Sequence, residues 1–226
     1  MLDTNNDGTD EIYRVLNMNG TNAKLLAMDN LNNSTYRFYN GGQEEYATFS
    51  GSGNYIAYAN SLVDTALTTW YNGLHSTVKN AIQDTMVTQN LYMAQDSQLQ
   101  AGLSYDYSYE YNWSNPDHYV WFGGSTIVGN RKVFLLGVED IFEYYGKSII
   151  NSNELNDMFW GTSGRTQEND TLWLNSAAVA TSNTCLWTVN GFRGTLNHDS
   201  LYSNYIFGVR AAFVIDLSQV TYTVAI

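Results

Sequence analysis

Nine residues, Tyr105-Asp106-Tyr107-Ser108-Tyr109-Glu110-Tyr111-Asn112-Trp113, alternate without a break. Rings fall at every second position and polar side chains fill the gaps. A strand sends successive side chains to opposite faces, so the run predicts β-structure with one aromatic and one polar face. Asn115-Pro116-Asp117 turns the chain, and Tyr119-Val120-Trp121-Phe122 is expected to return as its hairpin partner. An aromatic face at strand period usually packs on a core. The sharper alternative is a platform for a sugar ring.

The rest of the composition supports a packed domain. Eighteen tyrosines, nine phenylalanines and six tryptophans in 226 residues are too much ring surface for a disordered chain. Ten Lys and Arg against 22 Asp and Glu give a formal net charge of −12. That excludes broad electrostatic capture of nucleic acid and argues against docking on an anionic membrane. The single cysteine, Cys185, allows neither an internal disulfide nor a thiolate metal cage. His75, His118 and His198 are too far apart for ligand spacing. No stretch approaches the roughly 20 apolar residues of a membrane span, so no membrane insertion is expected in this segment. Met1 runs straight into polar acidic sequence, and any exporting or anchoring segment is expected to lie outside it.

Periodicity places the other elements. Ile12–Leu16 and Ala23–Met28 read as strands around a 17–22 linker that contains Asn19-Gly20, a hairpin-turn pair. Residues 30–60 read as loop with short strands. From Ser61 to Leu74, apolar residues at Leu62, Val63, Ala66, Leu67, Trp70, Tyr71 and Leu74 keep a helical period. Ser61 and Asp64 supply a capping start. A second helix is predicted over Thr77–Met86, and a third over Val138–Tyr145, ended by Gly146. Lys132–Leu136 reads as a buried strand, residues 151–171 as polar loop, 175–207 as short strands and turns, and Gly208–Leu217 as a closing core strand. With no internal repeat or linker, the expected architecture is a single α+β domain over 1–226.

The C-terminal quarter carries a resemblance. Trp173-Leu174, then Val189-Asn190-Gly191, then Gly208-Val209-Arg210 before Ala212-Phe213-Val214-Ile215 resemble a domain of unknown function common in gut bacteria and their prophages. Arg14-Val15-Leu16 and Val133–Leu136 before the 138–145 helix match its order. Asn175 stands where that family carries Arg, and Ala211 where it carries Pro. The resemblance implies a C-type-lectin-like fold with short helices and small antiparallel sheets, related to the formylglycine-generating-enzyme superfamily. It further implies kinship with the variable proteins of diversity-generating retroelements. In those systems template adenines are randomised, so Asn codons become Tyr, Ser, Asp or His codons.

On that reading 175–207 is a hypervariable binding segment held by framework strands, with Trp173-Leu174 before it and Phe213–Leu217 after it. Its candidate contacts begin with Asn175, Ser182, Asn183 and Thr184. They continue through Trp187, Asn190, Phe192 and Arg193, then Asn197, His198 and Asp199, and end with Tyr202, Asn204 and Tyr205. Aromatic rings give rigid contact area and Asn, Ser and Gly give adaptable hydrogen bonds, the mixture antibody paratopes use. The bland alternatives are surface loop and, for Trp187 above all, core. Ala177, Ala178 and Ala180 are expected to pack or to line a floor, and Arg210 to be a structural guanidinium bonded to carbonyls or a carboxylate.

Asp3, Asn5, Asp7 and Glu11, with Gly8 at the sixth position of the run, resemble half a calcium loop. Arg14 occupies the place where such a loop needs a bidentate Glu. An Asx-rich turn is the simpler reading. No other cofactor is expected.

The expected function is non-enzymatic binding of a protein or glycan target on a cell or phage surface, with the chain displayed at a cell surface, outside the cell or on a virion. Formylglycine-generating chemistry uses a cysteine pair, and no carboxylate pair accompanies a nucleophile or metal. The alternative is a calcium-dependent carbohydrate-binding lectin, of whose sugar-site triplets Asn115-Pro116-Asp117 is a partial echo.

Overall fold

The computed structural model describes residues 1–40, 42–50, 53–94, 120–146, 152–159, 171–178, 185–190, 195–200 and 205–224. The Tyr105–Trp113 stripe lies outside them. In chain order the strands and α-helices are β1 (Tyr13–Asn19), β2 (Asn22–Ala27), β3 (Thr35–Tyr36), β4 (Tyr46–Thr48), β5 (Asn54–Ile56), α1 (Leu62–Gly73) and α2 (Ser76–Ala81). Then come β6 (Thr85–Ala94), β7 (Val120–Arg131), α3 (Val138–Tyr145), α4 (Ser152–Phe159), β8 (Thr171–Ala178), β9 (Cys185–Asn190), β10 (Thr195–Ser200), β11 (Phe207–Gly208) and β12 (Ala212–Asp216). The fold is mixed α+β with mostly antiparallel pairing, as expected.

β1 and β2 form the N-terminal hairpin, and its turn is tighter than the sequence suggests. Pairing continues to Asn19 opposite Asn22, leaving only Gly20 and Thr21 between the strands. β12 pairs antiparallel with the other edge of β2, so the first hairpin and the chain's closing strand share one three-stranded sheet. Ala23, Leu25 and Leu26 of β2 and Phe213 and Ile215 of β12 are buried.

α1 begins at its predicted cap, where the Ser61 hydroxyl accepts from the Asp64 amide. The Asp64 carboxylate also serves a distant partner. Arg131 Nε and Nη2 reach its two oxygens at 3.0 and 2.9 Å, the parallel two-bond geometry that suits guanidinium and carboxylate. That pair ties α1 to the end of β7.

Four expected elements need correction: the second helix, the 132–136 strand, the 151–171 loop and the closing strand. The second helix stops at Ala81, and Thr85 and Met86 belong to β6. Ile82 bridges to Ile215 and the Gln83 amide donates to the Val214 carbonyl, so pairing with β12 takes over from the helix. Met86, which continued the apolar period, is exposed. Lys132–Leu136 is buried in the main but is not a ladder strand. Phe134 makes a single bridge to Ala212, while the Leu135 and Leu136 carbonyls accept from Asn175. Within 151–171, α4 forms where loop was expected, because Leu155, Met158 and Phe159 sit at helical spacing and bury one face.

The larger sheet has seven strands among the described residues. The order β10-β9-β8-β11-β3 forms its spine, and β6 with β7 attaches through β8. One edge of β8 is divided between two parallel neighbours. Leu172 pairs with Gly208 of β11, and Ala177 and Ala178 pair with Leu91 and Tyr92 of β6. Val120, Trp121 and Phe122 pair with Ala94, Met93 and Tyr92 of β6, so β6 is their partner among the described residues.

The expected closing strand is two strands in different sheets. β11 ends in the large sheet, Val209–Ala211 cross over, and β12 enters the small one. Gly208 marks a close approach at this crossing, since a Cβ there would lie 2.6 Å from both Asn30 Nδ2 and a Leu172 methyl. Arg210 is buried and its Nη1 donates to the Phe159 carbonyl at 2.6 Å, the carbonyl role expected of it. That places a cation against the C-terminal end of α4, where the helix dipole favours it. One hydrophobic cluster of buried side chains runs from Leu2 to Ile215 and links the three-stranded and seven-stranded sheets. α3 ends at Gly146 in the left-handed conformation, as predicted. No helix among the described residues is long and apolar enough to cross a membrane.

Candidate functional site

The C-terminal segment separates into framework and surface. β8 buries every described position from Leu172 to Ala178. Its pairing with β9 is interrupted between Trp173 and Ala177, so Leu174, Asn175 and Ser176 bulge away from that ladder. The bulge is stitched to the start of α3. The Asn175 amide donates to the Leu136 carbonyl at 2.9 Å, and its Nδ2 donates to the Leu135 carbonyl at 3.0 Å. The Ser176 hydroxyl accepts from the Val138 amide at 2.9 Å and donates to Glu139 Oε2 at 3.2 Å. Asn175, a predicted contact residue, is thus a buried clamp whose amide satisfies carbonyls that no ladder reaches.

β9 is buried throughout, Cys185 to Asn190. Trp187 is fully buried and donates its indole N–H to the Tyr92 carbonyl at 3.2 Å, so core is the correct one of its two readings. Asn190 donates to the Thr171 hydroxyl at 3.2 Å. Ala177 and Ala178 pack, as expected.

β10 occupies the end of the sheet order, paired with β9. Its register sets Asn197, His198 and Asp199 opposite Thr188, Trp187 and Leu186. Among the described residues β10 pairs only with β9, so three polar candidates lie at that end of the sheet. A strand paired on one side can be engaged by a partner along the other.

At the exit of the segment, Tyr205 is 45 % exposed and Ile206 51 % exposed. The Tyr205 ring stacks on Phe207, centroids 5.8 Å apart at 23°. Phe207 lies 4.6 Å from Trp173, whose indole N–H donates to the Tyr36 carbonyl at 2.8 Å. An exposed ring therefore stands on a column of rings that is fixed at its base. Ser182, Asn183, Thr184, Phe192, Arg193, Tyr202, Asn204 and Ala180 lie outside the described residues.

The N-terminal acidic run folds as a network of Asx turns. Asp3 accepts the amides of Asn6, Asp7 and Gly8 at 2.6, 3.2 and 2.9 Å, and Asp7 accepts the Thr9 amide at 2.8 Å. Asn5 accepts the Asp7 amide at 3.1 Å, and Glu11 Oε2 accepts both the amide and the hydroxyl of Thr4. The Thr9 amide first, and the Asn5 side-chain amide that donates to Asp7 Oδ2 at 3.0 Å, hold the Asp7 carboxyl below its usual range. Oxygens that a calcium loop would turn inward are engaged by the chain itself. Among the described residues no group of three or more His, Cys, Asp and Glu is placed to hold a metal ion.

Sequence reasoning missed Glu139. Burial pushes its carboxyl up to about 7, and neighbouring Asp140 pushes the same way, against the Ser176 hydrogen bond. Lys24 pairs with Asp140 and, at 3.6 Å, with Glu143. The acidic first turn of α3 was visible in the sequence, but its burial under the β8 bulge depends on contacts with residues nearly forty positions away. Compared with known protein families, curated proteins and solved structures, the chain matches none.

Proposed function

We propose that the chain is a non-enzymatic target-binding domain with a C-type-lectin-like scaffold, and that 175–207 is its variable surface, diversified by a retroelement. Its target is a protein or glycan on a cell or phage surface, met by a chain displayed outside the cell or on a virion. The observation that carries this reading is the division within one compositional segment. Trp173, Asn175, Trp187 and Leu196 are buried framework, while Tyr205 and Ile206 hold large apolar surface in solvent beside it. A scaffold fixed in this way tolerates replacement of the residues it displays. Aromatic anchors next to polar edge residues are the composition of binding hot spots.

Sequencing the locus across many isolates tests the proposal. Substitutions are expected to concentrate at adenine-containing codons of 175–207 and to spare Trp173, Trp187 and Phe213. A near-identical template repeat beside a reverse transcriptase gene is expected nearby. Substitutions spread evenly over 1–226, with no such repeat, would overturn it. Chelator-sensitive binding on a glycan array would instead favour a calcium-dependent lectin.

A further inference from the structure

We propose that the first turn of α3 is a proton-operated latch on the β8 bulge. With Glu139 neutral, its carboxyl is seated beside Ser176 and the bulge stays closed on α3. With Glu139 ionised, the carboxyl leaves its seat and the bulge opens more readily. The latch is made of framework contacts, so it goes beyond the binding reading above and holds whatever the chain binds.

Three contacts make the seat. The Glu139 carboxyl folds back over Gly137, the N-cap of α3, so closely that a Cβ on that glycine would overlap it. Ser176 is fully buried, and its hydroxyl donates to Glu139 Oε2 at 3.2 Å. The Asn90 side chain of β6 hydrogen-bonds the same carboxyl. The Ser176 hydroxyl also accepts from the Val138 amide, and the adjacent Asn175 amide donates to the Leu136 carbonyl. Glu139 therefore shares its anchor with the bonds that tie the bulge to the helix. The β8–β9 ladder is already interrupted between Trp173 and Ala177, so those bonds can break without unpairing the two strands.

The surroundings set the direction. Asp140, the next residue of α3, accepts the Gly137 amide at 2.6 Å. Lys24 from β2 pairs with Asp140 and Glu143, and its charge also meets that of Glu139. Burial first, and the Glu139 charge after it, raise the Tyr92 phenol of β6, so that group faces the carboxyl too. An ionised Glu139 thus gives up hydration next to a second carboxylate, with Lys24 already engaged by Asp140 and Glu143. The bonds from Ser176 and Asn90 offset this only in part, and the carboxyl titrates near 7. Protonation removes the repulsion and makes the acid a donor, which the Asn90 amide oxygen can accept. The closed latch is favoured at low pH and weakens as pH rises through about 7.

The test is hydrogen exchange of the whole chain, followed by NMR at pH 5 and pH 8, with each rate corrected for the pH dependence of the exchange chemistry. Protection of the Val138 and Asn175 amides is expected to fall about tenfold or more between the two. Both should exchange faster than the amides of β12, and at rates that low urea leaves unchanged, the mark of a local opening. Glu139→Gln keeps the shape without the charge and should hold both protections at their pH 5 level. Gly137→Ala puts a methyl in the carboxyl's seat and should lower them at both pH values; Glu139→Gln decides the matter if that variant fails to fold. The proposal is overturned by protections that do not change with pH, by an equal fall in folded Glu139→Gln, or by bulge amides that share the rates and urea dependence of β12.

Discussion

β9 and the exit at Tyr205–Phe207 belong to one Asn-, Ser- and Tyr-rich segment, yet they are built on opposite principles. In β9 both faces are covered, and even Thr188 and Asn190 are buried. At the exit, one ring of the Tyr205–Phe207–Trp173 column is left in solvent. Two aromatic candidates drawn from the same composition therefore divide. Trp187 holds the scaffold, and Tyr205 keeps nearly half of its side chain in solvent. Residue type alone says how much surface a side chain offers, whereas strand position decides whether the surface faces the core or solvent.

The strongest way to break this contrast is Trp187→Ala. The ring is fully buried and its N–H is bonded to Tyr92. Truncation should cost about 3–5 kcal/mol, the range for large aromatic deletions in cores. Urea unfolding monitored by circular dichroism measures it, and a loss below about 1 kcal/mol would return Trp187 to the surface.

Glu139 sharpens the framework side through pH. Its carboxyl titrates near 7 in the folded chain against 4.5 for the free group, so the folded state binds the proton more tightly. The folded state is then favoured when Glu139 is neutral. Stability is expected to fall as pH rises from about 4.5 through about 7, and to stay reduced above that. Glu139→Gln should remove this component, raising stability at pH 8 by on the order of 1–3 kcal/mol and changing little at pH 4. Thermal melts of both forms across that range are the measurement. A parallel fall in wild type and variant would assign the slope to other groups.

Asn175 is the candidate whose standing changed most, and its variant carries the next largest effect. Alanine there removes the donor to the Leu135 carbonyl and leaves that acceptor buried, a loss of about 1–3 kcal/mol. A displayed contact residue would show almost none. Denaturant midpoints of the variant decide between the two.

What was legible followed from local pattern. α1 carried both a helical period and a cap within its own fourteen residues, Ser61 to Leu74, and formed there. The Asn19-Gly20 pair marked its turn. Elements that depend on distant partners were not legible. Val78, Ala81, Ile82 and Met86 keep helical spacing, but Thr85 and Met86 are claimed by Arg131 and Asn130 across the sheet. α4 hides its Leu155, Met158 and Phe159 face among asparagines that read as loop. Asn175 and Tyr205 are equally plausible contacts by composition. They are told apart by Leu135, forty residues upstream of Asn175, whose carbonyl no sequence window around Asn175 contains.

Tyr205→Ala gives the smallest expected change in stability, and for that reason tests the contrast most directly. Nearly half of the side chain is already in water, and its stack on Phe207 is the contact that truncation would remove. An exposed aromatic pair of this kind contributes about 0.5–1 kcal/mol. The unfolding midpoint should therefore move little, while capture of any target selected against the intact chain should weaken by tenfold or more if the ring is an anchor, since hot-spot truncations cost about 2 kcal/mol or above. The ratio of the two effects carries the information. For Trp187 the loss of binding should follow the loss of folded chain, whereas for Tyr205 it should greatly exceed it. A Tyr205 variant that unfolds as readily as the Trp187 variant would place both rings in the core and leave the exit without an anchor.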